Sequence, residues 1–249
     1  PSARSAVSEK RNLFCYTFDE LIDEDANFDN YIAWLETEIE KRKINTHYVS
    51  LSCTKTEVDP ETNQKIGTSR YGETEGWIET YIDQWLDDPA KAHLSILGEF
   101  GSGKTWFSLH YAWLALEEYK REKQRGVERP RLPIIISLRD YAKAADTESL
   151  FSHFFFRKHE IPLQSYRVFE QLNRMGKLLL IFDGFDEMAM QVDRQTTVNN
   201  FWELAKVVVP GSKVILTCRT EHFPESQESS RLLNAEITAS TQKLNGEVP

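Results

Sequence analysis

Gly98-Glu99-Phe100-Gly101-Ser102-Gly103-Lys104-Thr105 fits the pattern GxxxxGK[ST] at every fixed position. These residue types define a chemistry. Glycines at 98, 101 and 103 permit positive φ and let main-chain amides come close to an anion. Such amides, joined to a helix N-terminus, form a cradle for phosphate. In that cradle Lys104 sets a point charge against β- and γ-phosphates, and the Thr105 hydroxyl ligates Mg²⁺. The expected binding stretch comprises Gly98, Glu99, Phe100, Gly101, Ser102, Gly103, Lys104, Thr105 and Trp106, with ATP (or ADP) and Mg²⁺ as ligands.

Two further stretches carry polar residues at the tips of apolar runs. Leu178 to Phe182 is strand-sized and delivers Asp183, followed by Gly184-Phe185-Asp186-Glu187. At the C-terminal edge of a parallel sheet, Asp183 can hold the magnesium, directly or through water. Glu187 or Asp186 can orient or deprotonate the attacking water, with Glu187 favoured. The plainer alternative is a turn whose carboxylates are solvated and cap the next helix. Lys213 to Thr217 is a second such run, ending in Cys218-Arg219-Thr220. Its guanidinium can reach a γ-phosphate and report its presence, or can simply pair with Glu221 or Glu187 at the surface.

These tips need a frame. An apolar strand, His93 to Leu97, leads into the glycine loop, and a helix from Thr105 to Tyr119 leads out. Further strands are expected at Leu132–Leu138, Leu178–Phe182 and Val214–Thr217, with helices near Glu148–Lys158, Ser165–Met175 and Asp193–Val208. Repeated strand–helix alternation implies an α/β fold, a parallel sheet with helices on both faces. Upstream, Phe28, Tyr31, Ile32, Leu35 and Ile39 fall at helical spacing, and so do Trp77, Ile78, Tyr81, Ile82, Trp85 and Leu86. Tyr48 to Cys53 suits a short strand. Residues 54–72, rich in Thr, Asp, Glu, Gly and Asn, read as a loop. Beyond Phe223 the chain is polar and closes no further unit. The expected division is 1–70 as a partly helical N-terminal segment, 71–224 as the core, and 225–249 as a polar tail.

Composition narrows the function classes. With 249 residues, 40% of them apolar, the chain can bury a large core. A net charge of −9 gives no indication of nucleic-acid binding, which needs a basic face. No apolar run approaches the ~20 residues of a membrane helix. Cys15, Cys53 and Cys218 lack metal-ligand spacing and read as reduced thiols of a cytoplasmic protein. Phe154-Phe155-Phe156 reads as packing residues or a partner surface, and His153 and His159 lack zinc spacing. The start at Pro1 rather than Met reads as a piece of a longer protein.

Together GEFGSGKT, LLLIFDGFDE and ILTCRT resemble the NACHT domain of the signal-transduction ATPases with numerous domains, with DGxDE the most specific of the three. Pro133 to Tyr141 is similar to the second strand of that family, so the resemblance covers roughly residues 71–224. It implies an ASCE-type P-loop NTPase, in which an added strand separates the P-loop strand from the Walker B strand. By position, Lys104 and Thr105 bind phosphate and Mg²⁺, and Asp183 is the Walker B carboxylate. Asp186 and Glu187 are the hydrolytic acids, Arg219 is the sensor arginine, and Tyr71 to Ile78 lies near adenine. The resemblance also implies a slow ATPase that switches oligomerisation and an attached effector, often in bacterial defence against phage. Effector and sensor domains are then expected elsewhere in the parent chain. The family's helical lid and winged helix, which supplies a histidine to the β-phosphate, would lie past Pro249.

Rival readings make distinct demands. An AAA+-like ATPase needs an arginine finger in trans, for which Arg157, Arg174 and Arg194 are candidates without distinguishing spacing. A GTPase needs a base-reading NKxD, which does not follow the Walker B strand. A non-hydrolysing nucleotide-gated scaffold keeps the loop but has no use for Glu187. A nuclease in the N-terminal segment has Asp19, Glu20 and Glu24 but no PD-(D/E)xK pattern.

Overall fold

The computed structural model describes residues 18–58, 65–141, 146–223 and 236–240. Cys15 therefore lies outside the described residues, as do Asp59, Pro60 and most of the polar tail. The elements run α1 (Phe18–Asp25), α2 (Asp29–Arg42), α3 (Ile44–His47), β1 (Ser52–Val58), β2 (Lys65–Tyr71), α4 (Ile78–Asp87), β3 (His93–Leu97), α5 (Lys104–Arg125) and β4 (Leu132–Ser137). They continue with α6 (Thr147–Ser152), a π-turn at His153–Lys158, α7 (Tyr166–Arg174), β5 (Leu178–Asp183), α8 (Phe185–Ala189), α9 (Arg194–Ala205), β6 (Lys213–Cys218) and β7 (Glu236–Ser240).

One seven-stranded sheet has the order β2-β1-β7-β3-β6-β5-β4. Strands β7, β3, β6, β5 and β4 are parallel, and β1 and β2 are antiparallel additions. The added strand β6 lies between the loop-bearing β3 and the acid-bearing β5, the ASCE arrangement. Every residue of β3, β5 and β6 is buried, which requires cover on both faces and explains their continuous apolar runs. Among the described residues no helix is long and apolar enough to cross a membrane.

The hairpin β1–β2 corrects the reading of 54–72 as a loop and of Tyr48–Cys53 as a strand. Its sequences, SCTKTEV and KIGTSRY, are rich in Thr, Ser and charge. They show no apolar alternation because the β2 side chains lie largely in solvent at the sheet edge, Ile66 among them. Strand β7 was not foreseen either. It pairs with β3 and β1, and a run such as Glu-Ile-Thr-Ala-Ser has too little pattern to announce itself.

The opposite edge, β4, is sealed by α2. Tyr31, Leu35 and Ile39 are buried at four-residue spacing on one face of that helix. The Tyr31 hydroxyl donates to Pro133 O at 3.0 Å and accepts from Ile135 N at 2.8 Å, satisfying main-chain groups that an exposed edge would offer to another chain. Helix α1 is tied to the core by charge: Arg129 donates to both oxygens of Asp23 at 2.7 Å, and the Arg129 amide donates to Asp19. The expected helix at 148–158 is α6 continued by the π-turn, which turns Phe154 and Phe155 into the core and leaves Phe156 exposed.

Candidate functional site

The parallel strands deliver their tips to one edge. At that edge β3 ends in Leu97 and the chain turns through Gly98–Gly103 into α5. Gly101 and Gly103 adopt φ of 76° and 88°, conformations costly for any residue with a Cβ. Gly98 does not have positive φ, contrary to the sequence expectation. It continues directly from the extended strand, and the loop reverses only from Gly101 onward. Gly103 precedes the first helical residue, Lys104, so the unpaired amides of the first turn of a 22-residue helix open beside the loop.

The Lys104 ammonium folds back over its own loop. It donates to Gly98 O at 2.6 Å, Glu99 O at 3.0 Å and the Ser102 hydroxyl at 3.2 Å. Partial burial pulls its pKa down, while Asp186, Cys218 and Asp183 oppose that shift and Arg219 adds to it. The lysine therefore sits within electrostatic range of the tips of β5 and β6. Ser102 is buried and its amide bonds back to Glu99 O, whereas Phe100 is 81% exposed. Trp106 is the third residue of the helix and is partly exposed.

Asp183, the last residue of β5, is buried. Its Oδ1 accepts from the Ser108 hydroxyl at 3.0 Å and the Thr217 hydroxyl at 2.8 Å. The Thr105 hydroxyl lies near enough to this carboxylate to favour its ionised form. Desolvation raises the Asp183 pKa; the hydroxyls of Thr217, Thr105 and Ser108 hold it down, and the neighbouring Asp186 adds to the rise. A buried carboxylate against a threonine hydroxyl is a hard-oxygen donor set, which suits Mg²⁺ completed by phosphate and water. Among the described residues no group of three or more His, Cys, Asp or Glu is placed to hold a metal ion.

The two acids of the DGFDE stretch have different surroundings. Gly184, at φ 78°, starts α8, and its amide donates to the Thr217 hydroxyl at 2.9 Å. Asp186 is buried and engaged: its Oδ2 lies 2.8 Å from Arg219 Nε, and its Oδ1 accepts the Arg219 amide at 3.2 Å. Glu187 is half exposed, and its ionic partner among the described residues is the distant Arg139 Nε at 3.8 Å. Arg219 thus pairs with Asp186, not with Glu221 or Glu187, and its guanidinium lies 4.8 Å from the Phe100 ring centroid. Cys218 is buried with its thiol pKa pushed up by desolvation, so it is no nucleophile.

Ser108 and Thr217 escaped the sequence reading. Ser108 lies three residues past Thr105, on the same face of α5, and that spacing was a usable signal. Thr217 had none, because a threonine near the end of a strand is ordinary. The stretch from Tyr71 reaches the same edge by register: Tyr71 lies opposite Cys53, Cys53 opposite Ala239, and Leu97 opposite Thr238. At about 4.8 Å per strand spacing, Tyr71 stands roughly 14 Å from the start of the loop.

Residues 93–245 match the model of the NACHT domain. An uncharacterised WD repeat-containing protein of Nostoc sp. is 67% identical over 250 residues, which is 100% of this chain and 16% of that protein. The chain therefore spans 16% of the length of the curated relative it matches. A solved DNA replication initiation factor is 15% identical with a TM-score of 0.37, covering 66% of this chain and 44% of that one. AMPPCP-bound DnaA from Aquifex aeolicus is 17% identical with a TM-score of 0.36, covering 64% and 43%. A KaiC-like protein from Pyrococcus horikoshii is 15% identical with a TM-score of 0.36, covering 63% and 75%.

Proposed function

This chain belongs to the NACHT family of nucleotide-binding NTPase domains, and we propose that it is an ATP-dependent switch that binds ATP with Mg²⁺ and hydrolyses it slowly. The observation that carries this reading is the convergence of Lys104, Thr105, Asp183, Asp186 and Arg219 on one sheet edge within a single network of hydrogen bonds and charges.

In this reading the Gly101–Gly103 amides and the α5 N-terminus receive the phosphates. Lys104 exchanges its loop oxygens for β- and γ-phosphate oxygens. Thr105 and Asp183 would hold Mg²⁺, whose charge would offset that of the triphosphate. Thr217 and Ser108 orient Asp183 by donating to its Oδ1. Asp186 is committed to Arg219, which leaves the exposed Glu187 as the group that orients or deprotonates the attacking water. Arg219 meets the γ-phosphate and distinguishes ATP from ADP. The stretch Tyr71 to Ile78 borders the adenine.

The nucleotide state would gate self-association and the output of a larger protein. Residues 71–224 would carry the switch chemistry, with 1–70 and 225–249 as flanking segments that add β1, most of β2 and β7 to its sheet. WD repeats like those named in the Nostoc relative would serve as the sensor. Bacterial antiviral defence is the setting that the resemblance favours.

Phosphate release by the wild type and by Glu187→Gln tests the enzymatic half. Loss of a positioned general base lowers turnover by about 10²–10⁴-fold while ATP still binds. ATP binding by both proteins with turnover by neither would replace the hydrolytic reading with a nucleotide-gated scaffold.

A further inference from the structure

Phe100 is an unusual place for a large apolar side chain. It is 81% exposed, so burial accounts for little of its stability there. Its defined contact is with the Arg219 guanidinium, whose carbon lies 4.8 Å from the ring centroid. Cations over an aromatic face are attracted by the ring quadrupole, and the planar guanidinium stacks best. The other constraint on this arginine is ionic: Nε lies 2.8 Å from Asp186 Oδ2. Asp186 fixes one edge of the guanidinium, and Phe100 fixes its face. The terminal nitrogens carry no hydrogen bond among the described residues, so they remain available as a fork for phosphate oxygens.

The two contacts arise from different parts of the site. Asp186 belongs to the turn after β5, whereas Phe100 rides on the phosphate loop between Gly98 and the φ 76° turn at Gly101. Anything that settles the loop around a phosphate also settles the ring. We propose that Phe100 is a positioning residue for Arg219, so that the grip of the loop on the β-phosphate sets the aim of the arginine at the γ-phosphate. This rests on the reading of Arg219 as the γ-phosphate contact.

The test is the ratio of affinities for ADP and a non-hydrolysable ATP analogue, each with Mg²⁺, measured by calorimetry. The proteins are the wild type, Phe100→Leu, Phe100→Met, Phe100→Tyr, Arg219→Ala and the Phe100→Leu/Arg219→Ala double variant. Melting midpoints without nucleotide establish that each is folded. Phe100→Leu and Phe100→Met should narrow the preference for the triphosphate by about 2- to 5-fold, the worth of one exposed cation–π contact. Phe100→Tyr keeps the π-face and should restore the ratio. In the Arg219→Ala background Phe100→Leu should narrow it no further. An equal fall in both affinities, or the same narrowing with and without Arg219, overturns the positioning role. If Arg219→Ala narrows the ratio and the Phe100 variants do not, the positioning role alone fails. If Arg219→Ala leaves the ratio unchanged, both it and the sensor reading fail.

Discussion

Lys104 and Lys213 stand at opposite ends of the paired strands β3 and β6, and each ammonium donates to three oxygens. Lys104 reaches Gly98 O, Glu99 O and the Ser102 hydroxyl at 2.6, 3.0 and 3.2 Å. Lys213 reaches Trp85 O, Asp88 O and Lys91 O at 2.6, 2.7 and 2.8 Å, over the Trp85 ring. The number of bonds is the same, but their replaceability is not. Lys213 is buried, and its acceptors are carbonyls at the C-terminal end of α4 and in the turn beyond, where the regular helical i to i+4 bonds have ended. Burial pulls its pKa down to about 8 even so. The acceptors of Lys104 belong to a loop at a half-open edge, beside the carboxylates of Asp183 and Asp186. A phosphate arriving there offers stronger, charge-assisted partners. A lysine that closes a helix end and a lysine that waits for an anion can thus look alike in hydrogen-bond count.

The contrast is broken most forcefully at Lys213. Lys213→Met should destabilise the fold by about 2 kcal/mol in urea titrations, because Trp85 O, Asp88 O and Lys91 O lose a charged donor, although Asp88 N and Lys91 N still donate to the first two. Stability within about 0.5 kcal/mol of the wild type would show that water serves those carbonyls as well. Lys104→Ala should do the reverse, leaving the ligand-free midpoint nearly unchanged and removing most triphosphate affinity. The wild type should gain about 2.7 kcal/mol at an ATP concentration 100-fold above Kd, and the variant should show no such gain in a melting experiment. An undiminished ATP response in Lys104→Ala would take this lysine out of the site.

His93 sharpens the picture of the Lys213 end. It is buried at the start of β3, opposite Val214, with one ring nitrogen on the Ser95 hydroxyl at 2.8 Å. Desolvation pulls its pKa from 6.5 to about 3. The unfolded chain then binds a proton below about pH 6.5 that the folded chain refuses, so stability falls as pH drops through that window. From pH 6.5 to 4.5 the loss from this group should be about 2 kcal/mol. Melting curves of His93→Gln should be flatter than wild type across that range. Parallel profiles would mean that His93 is protonated in the fold and the end is wetter than its burial implies.

What could be read from sequence follows from the same difference. Lys104 announces itself through the spacing of glycines around it, because phosphate binding constrains a contiguous stretch. Asp183 and Arg219 were legible for a similar reason, each ending an apolar run that had to be a strand. Lys213 opens a strand as any surface lysine could, and its partners Trp85, Asp88 and Lys91 lie more than a hundred residues earlier. The periodicity of α2 was plain, but its use was not: Tyr31 meets Pro133 across 102 residues. The hairpin β1–β2 was missed because β2, at the sheet edge with side chains largely in solvent, lacks apolar alternation, and β7 because a five-residue run such as EITAS carries too little pattern. Sequence pattern thus reports local constraint well and distant satisfaction of backbone groups poorly.

A structure of this chain with a non-hydrolysable ATP analogue and Mg²⁺ addresses the central claim directly. The Lys104 ammonium should leave Gly98 O and Glu99 O and lie within hydrogen-bonding distance of β- and γ-phosphate oxygens, with Lys213 unmoved on its three carbonyls. Nucleotide bound elsewhere, with Lys104 still on its loop oxygens, would contradict the account.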